Sequence, residues 1–256
     1  MSALDIHMFP CLSDNYGFLI HCPETGACAS IDTPEAAAIE AALKDKGWRL
    51  THILNTHHHF DHVGANLELK ESWGCEIVGP KADAERIPGL DTPLADGERF
   101  RLGNAEAVVF DTPGHTKGHI AYYFAESAAA FVGDTLFALG CGRLFEGDPA
   151  QMWASLQKLM ALPDATAVYC AHEYTQANAR FALSVDPNNP ALVARSADID
   201  AARANGEPTV PTRIDIEKAT NPFLRPTSES LQETLSMVGA SAVDVFAETR
   251  RRKDVF

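Results

Sequence analysis

No stretch of this sequence approaches the roughly 18 consecutive apolar residues that a membrane-spanning helix needs. Its opening, MSALDIHMFPCLSDNYGFLI, has neither the basic start nor the unbroken apolar run of a secretory signal. These absences lead to the expectation of an unanchored, cytoplasmic protein. The six cysteines (Cys11, Cys22, Cys28, Cys75, Cys141 and Cys170) contain no C-x-x-C pair, which argues against a disulfide framework or a zinc finger and for reduced thiols. Positive charge is also scarce. With 21 Lys and Arg against 35 Asp and Glu, the net charge is −14, which disfavours nucleic acid and anionic membranes as partners, because phosphate contacts need clustered cations. Against that background the run Arg250, Arg251, Arg252, Lys253 stands out.

What is present describes a globular chain: 256 residues, 46% hydrophobic and 22% charged, enough for one large domain or a domain with an appendage. The first two thirds alternate β-rich runs (LDIHMF, YGFLIH, ACASI, LTHIL, CEIVG, AEAVVF, HIAYYF, AAAFVG, TAVYC) with helical patterns such as PEAAAIEAALKDKG, VGANLELKESWG and PAQMWASLQKLMAL. In the last of these, Asp148 is placed to cap the helix and Pro149 to occupy its first turn. Interleaved strands and helices suggest sheets held between helix layers. After Glu173 the strand signals fade, and YTQANARFALSV, PALVARSADIDAARANG, SESLQETLS and SAVDVFAETRRRKD read as helices. The expected division is therefore residues 1–173 and a smaller helical domain, 174–256.

The strongest chemical signal is Thr56-His57-His58-His59-Phe60-Asp61-His62, directly after the strand-like LTHIL. Three further segments behave alike: Asp111-Thr112-Pro113-Gly114-His115 follows AEAVVF, Gly133-Asp134-Thr135 follows AAAFV, and Ala171-His172-Glu173 follows AVYC. Alone, Asp134 reads as a turn residue and His115 as a satisfied loop histidine. Four strand ends that all offer His or Asp point instead to one metal site, because loops at strand ends are where catalytic groups collect. His58 and His119 are read as supports that orient neighbouring rings, and His7, His21 and His52 as ordinary.

In this order the segments resemble the metallo-β-lactamase superfamily, with T-H-x-H-x-D-H, a later His, an Asp and a final His. The resemblance implies an α/β fold, an αββα sandwich with a smaller C-terminal α-helical domain. It further implies that His57, His59 and His115 hold one metal, that Asp61, His62 and His172 hold a second, and that Asp134 bridges them. Imidazole and carboxylate ligands without thiolate suit zinc, iron or manganese and do not choose among them. The resemblance implies two divalent ions per chain, with zinc the first expectation and iron or manganese open. Such a pair brings a water toward ionisation at neutral pH and polarises a carbonyl, which leads to hydrolysis of an acyl bond with Asp61 and Asp134 as the catalytic carboxylates.

A closer resemblance covers essentially the whole chain. DNYGFLI, THHHFDH, DTPGHTKGHI, GDTLFALGCGRLFEG, YCAHEYT, IEKATNPFLR and the terminal RRRKD all look like the glyoxalase II (hydroxyacylglutathione hydrolase) family. That likeness implies hydrolysis of S-D-lactoylglutathione to D-lactate and glutathione, the second step of methylglyoxal detoxification. Matched residue by residue, the glutathione-binding positions fall on Arg143, Tyr174, Arg250 and Lys253. Two positions depart from the pattern: Arg143 stands where Lys is common, and Phe145 where Tyr is frequent. The alternative is a mononuclear iron glutathione persulfide dioxygenase of the same fold, which would use His57, His115 and Asp134. The expected partner is a small glutathione thioester, acted on by a monomer.

Overall fold

In the segment AEAVVFD, Ala105, Ala107 and Val109 are buried while the residues between them are half-exposed, the period-two pattern of a strand with one covered face. Patterns of this kind recur through the computed structural model, which describes residues 2–256. By density of contacts the chain forms two units, one reaching to Thr112 and including Thr116–Gly133, the other made of Pro113–His115 and Asp134–Phe256.

The first unit runs β1 (Asp5–Cys11), β2 (Asn15–His21), β3 (Cys28–Ile31), α1 (Ala36–Lys46), β4 (His52–Leu54), α2 (Phe60–Val63), α3 (Asn66–Trp73), β5 (Glu76–Pro80), β6 (Thr92–Leu94), β7 (Arg99–Leu102), β8 (Ala105–Asp111), β9 (Ile120–Phe124) and β10 (Ala129–Gly133). Strands β1 to β6 form a sheet in chain order, antiparallel as far as β3 and parallel from β3 to β6. Strands β7 to β10 form an antiparallel array. Strand β2 is buried on both faces, so its pattern is a nearly continuous apolar run. On one face Phe18 meets Phe131 of β10 edge-on at 5.8 Å. On the other, Leu19 joins Ile39, Leu43, Ile53, Leu69 and Ile77 in a cluster that packs α1 and α3 onto the sheet. Each fully buried Leu or Ile in that cluster contributes about 1.5–3 kcal/mol. The pairing of Ile31 with Leu54 brings the ends of β3 and β4 side by side, so the residues that follow each strand emerge together.

The second unit contains β11 (Leu136–Phe137), β12 (Gly140–Cys141), α4 (Pro149–Met160), β13 (Ala167–Cys170), α5 (Thr175–Val185), α6 (Pro190–Ala204), β14 (Thr212–Arg213), α7 (Ile214–Thr220), α8 (Glu229–Leu235) and α9 (Ala242–Asp254). Helix α4 begins as its sequence requires. The Asp148 carboxylate accepts from Gln151 N–H at 2.9 Å, the Gln151 side chain accepts from Asp148 N–H at 3.1 Å, and Pro149 fills the first turn. Helices α5 and α6 close over Leu139, Ala179, Ala182, Leu192 and Ile199. Helix α9 packs on α4, with Trp153 and Phe246 rings 6.3 Å apart.

Helix α7 is not readable as a helix from its composition. Its buried positions, Ile214, Glu217 and Thr220, keep helical spacing, but two of the three are polar. Glu217 is fully buried because its carboxylate accepts from Leu139 N–H at 2.9 Å and from Arg195, Thr212 and Asn221. All six cysteines are buried and free. Among the described residues no helix is long and apolar enough to cross a membrane.

Candidate functional site

In the first unit the Thr56–His62 segment leaves the end of β4 and turns into α2, with His59 as the residue before the helix. Asp32, at the end of β3 with a left-handed φ of 54°, anchors this loop. One of its oxygens accepts from Thr56 N–H at 2.7 Å. The other accepts from the Thr56 hydroxyl at 2.8 Å and from His62 Nδ1 at 2.8 Å. Because the Thr56 hydroxyl proton goes to Asp32, its oxygen accepts from His57 Nδ1 at 3.0 Å. One buried carboxylate thereby fixes the tautomer of two imidazoles, and both turn a lone pair on Nε2 toward the loop's inner side. His57 Nε2 lies 3.2 Å from His59 Nδ1, and His62 Nε2 lies 3.4 Å from the Asp61 carboxylate. Asn15 Nδ2 holds that carboxylate at 3.0 Å.

The remaining histidines of this unit take supporting positions. His58 turns away and meets the buried carboxylate of Asp83 at 3.0 Å, which also accepts from Arg86. His119 bonds Thr112 Oγ1 at 2.9 Å and stacks on His57 with centroids 4.8 Å apart. His7, His21 and His52 lie on β1, β2 and β4.

In the second unit Asp134 stands between two rings. Its Oδ2 is 3.4 Å from His115 Nε2 and its Oδ1 is 3.5 Å from His172 Nε2. His115 donates from Nδ1 to the carbonyl of Arg143 at 2.9 Å, which leaves its Nε2 as the basic nitrogen. Gly142 leaves room for His115 and for the Asp134 backbone, since a Cβ there would lie 3.0 Å from His115 Nδ1 and 2.0 Å from the Asp134 carbonyl oxygen. His172 stacks flat on Tyr174, centroids 4.7 Å apart, and the exposed ring of Phe145 stands edge-on to His115 at 5.2 Å.

These distances test whether the residues suit metal ions. A charge-assisted imidazole–carboxylate hydrogen bond is about 2.7–2.9 Å long. The edge of a tetrahedral site with bonds near 2.1 Å is roughly 3.4 Å. The pairs His62–Asp61, His115–Asp134 and His172–Asp134 lie at 3.4, 3.4 and 3.5 Å, at the ligand–ligand spacing and beyond the hydrogen-bonding one. His57, His62 and His115, each with its Nδ1 already committed, present Nε2 donors that fit divalent cations.

The basic residues divide by environment. Arg250 is only 5% exposed: it donates to the Cys141 carbonyl at 2.9 Å, pairs with Asp254 at 2.8 Å, and lies over the Phe223 ring. Arg251 and Arg252 both pair with Glu248, whose carboxyl they hold down to about 2. Lys253 lies over the rings of Phe181 and Phe256 with its ammonium 3.4 Å from the Ala177 carbonyl. Burial, and then the charges of Arg250, Arg180 and Arg143, push its pKa down to about 8. Arg143 and Tyr174 are exposed.

Residues 25–172 match the model of the metallo-beta-lactamase superfamily, and residues 173–256 match that of the hydroxyacylglutathione hydrolase C-terminus. The hydroxyacylglutathione hydrolase of Rhodospirillum rubrum is 57% identical over 256 residues, the whole of both chains. The chain belongs to the hydroxyacylglutathione hydrolase family. The enzyme of that name from Methylococcus capsulatus is 56% identical over 99% of each chain. Among solved structures, the TTHA1623 protein in a di-iron-bound form superposes with a TM-score of 0.62 at 27% identity, covering 86% of this chain and 100% of that one. The metallo-β-lactamase fold and the C-terminal helical region foreseen from the sequence are thus those of the family.

Among hydroxyacylglutathione hydrolase residues here, Asp32 escaped the reading of the sequence, although the signal that found the others applies to it. It ends a fully buried strand, CASI, at a point where the chain turns into a loop. Asn15 was visible only inside the DNYGFLI motif, with nothing to connect it to Asp61. Arg180 was not distinguished from any other exposed helical arginine.

Proposed function

We propose that this chain is a metal-dependent thioester hydrolase that converts S-D-lactoylglutathione and water to D-lactate and glutathione, the second step of methylglyoxal removal. The observation that carries this reading is the full-length 57% identity to a relative named for that activity. Iron persulfide dioxygenase chemistry on the same fold finds no comparable support, since relatives at 53–57% identity carry the hydrolase name. The proposed division is a catalytic region, 1–173, and a glutathione-binding helical region, 174–256. It draws on the junction of the two family models at 172 and 173.

In this reading His57, His59 and His115 would hold one divalent ion and Asp61, His62 and His172 the other, with Asp134, whose two oxygens each lie beside a histidine nitrogen, available to both. Zinc is the first candidate. Iron is supported by the di-iron form of the structural relative, and manganese fits the same donors. When bound, such ions supply Lewis acidity to the thioester carbonyl and lower the pKa of a water.

The chain's own groups do the rest. Asp61, held by Asn15 and 37% exposed, is placed to take the proton released by the attacking water. Asp32 holds two ligand rings in the one tautomer that can serve. Arg143, Tyr174 and Lys253 bind the glutathione portion. Arg250 adds its charge to the same region while its hydrogen bonds hold Cys141, two residues before Arg143. The protein is placed in the cytoplasm as a monomer, and its six free thiols fit a reducing compartment.

The test is to incubate purified protein with S-D-lactoylglutathione and follow thioester loss with release of free glutathione. In parallel, oxygen uptake is followed with glutathione persulfide. Stoichiometric thiol release without oxygen uptake is the expected result. Oxygen uptake with the persulfide and an intact thioester would replace the hydrolase with the dioxygenase.

A further inference from the structure

The side chain of Lys253 crosses from α9 onto α5 and settles around position 180. Its ammonium is 3.4 Å from the carbonyl of Ala177 and 5.2 Å from the ring centroid of Phe181. Arg180 lies between those two contacts, one helical turn on from Ala177, which is itself one turn on from Tyr174. Its side chain is exposed, as is that of Arg143. Among the described residues neither arginine has a carboxylate at ion-pair distance, whereas Arg251 and Arg252 are neutralised by Glu248 and Arg250 by Asp254. In a protein with 35 acidic residues against 21 basic ones, cations left without counter-charges around one lysine form an unusual local field. The depressed pKa of Lys253 agrees, because Arg180 and Arg143 are among its causes.

We propose that Arg180 is a specificity-determining residue that, with Lys253 and Arg143, receives a carboxylate of the glutathione portion of the substrate. The inference rests on the glutathione-thioester reading and adds a residue to it. Glutathione has a carboxylate at each end. A guanidinium on α5 beside an ammonium from α9 offers one of them a planar fork together with a point charge. The subsite therefore discriminates against thioesters of uncharged thiols through binding.

Kinetics of Arg180→Ala and Arg180→Lys, each with S-D-lactoylglutathione and with the lactoyl thioester of uncharged N-acetylcysteamine, separate the possibilities. Activity of the unaltered protein on S-D-lactoylglutathione is measured first, and its absence would remove the parent reading before Arg180 is considered. Arg180→Ala is expected to raise KM for the glutathione thioester by about fivefold to tenfold with kcat within about twofold. Arg180→Lys, which keeps the charge and loses the fork, should recover part of that loss, and the neutral thioester should be unaffected. Calorimetric binding of reduced glutathione should weaken by the same factor, which gives a readout independent of turnover. An unchanged KM, or equal losses on both thioesters, would overturn the proposal.

Discussion

The histidine loop and the C-terminal basic residues use polar groups in opposite ways. Around Asp32 each of two rings has one nitrogen committed, so the donors are aimed before any ligand arrives. Around Lys253, Arg250 is tied down and Arg251 and Arg252 are paired with Glu248, whereas Arg143 and Arg180 are exposed on flexible stems. Ion binding rewards fixed geometry, since misplaced donors cost affinity directly. Recognition of a flexible peptide carboxylate tolerates adjustable cations and takes its selectivity from charge. Damage to the first region should therefore remove chemistry, and damage to the second should mainly weaken binding.

The largest effect is expected for Asp134→Ala and His59→Ala. Each should lose bound metal and reduce turnover by on the order of 10³ or more, checked by elemental analysis beside the rate. If both variants kept full metal and activity, the ligand assignment would be wrong. Asp32→Ala touches no ion in the proposed set, yet it should weaken metal affinity by roughly 10- to 100-fold in a chelator competition. His58→Ala, whose ring faces Asp83, should retain its metal, and equal losses in the two variants would erase the distinction between aiming and merely neighbouring residues.

Within the basic region Arg250→Met should lower stability, since one charged hydrogen bond of this kind contributes about 1.5–3 kcal/mol. Lys253→Ala should leave the melting temperature nearly unchanged and raise KM. A smaller effect follows from pH. The pKa of Lys253, near 8 in the folded protein, lies below its ordinary value of 10.5, so the unfolded chain binds more protons between those values. Stability should rise modestly as pH increases through that window, while KM for the thioester rises as the ammonium is lost. Lys253→Met should flatten both trends, and profiles identical to those of the unaltered protein would exclude Lys253 as their source. Smallest of all, Phe145→Tyr should lower KM by no more than about fivefold, the value of one exposed hydrogen bond.

Strands β1 to β5, β8 to β10 and β13 and most helices were legible from β-rich runs or helical apolar spacing, α4 also because Asp148 and Pro149 announce its start, whereas β6 and β7 were not read. Helix α7 was not, because a buried Glu217 satisfied by four partners looks like a surface residue in a sequence. The two-residue strands β11, β12 and β14 are too short to carry a pattern. The candidate ligands could be read from their placement at strand ends, but the residues that aim them could not. Asp32 is linked to Thr56 and His62 only through the parallel pairing of β3 with β4. In RRRK the sequence offers four equivalent cations, and only packing separates the buried Arg250 from the Glu248-bound pair and from Lys253.

Whether hydrolysis depends on the ions is decided by the rate of S-D-lactoylglutathione cleavage before and after exhaustive chelation, with metal counted on the same samples and again after a divalent ion is restored. Close to two ions per chain, loss of nearly all activity with them, and recovery on reconstitution are expected. Full activity in a metal-free sample would rule out a metal-dependent hydrolase.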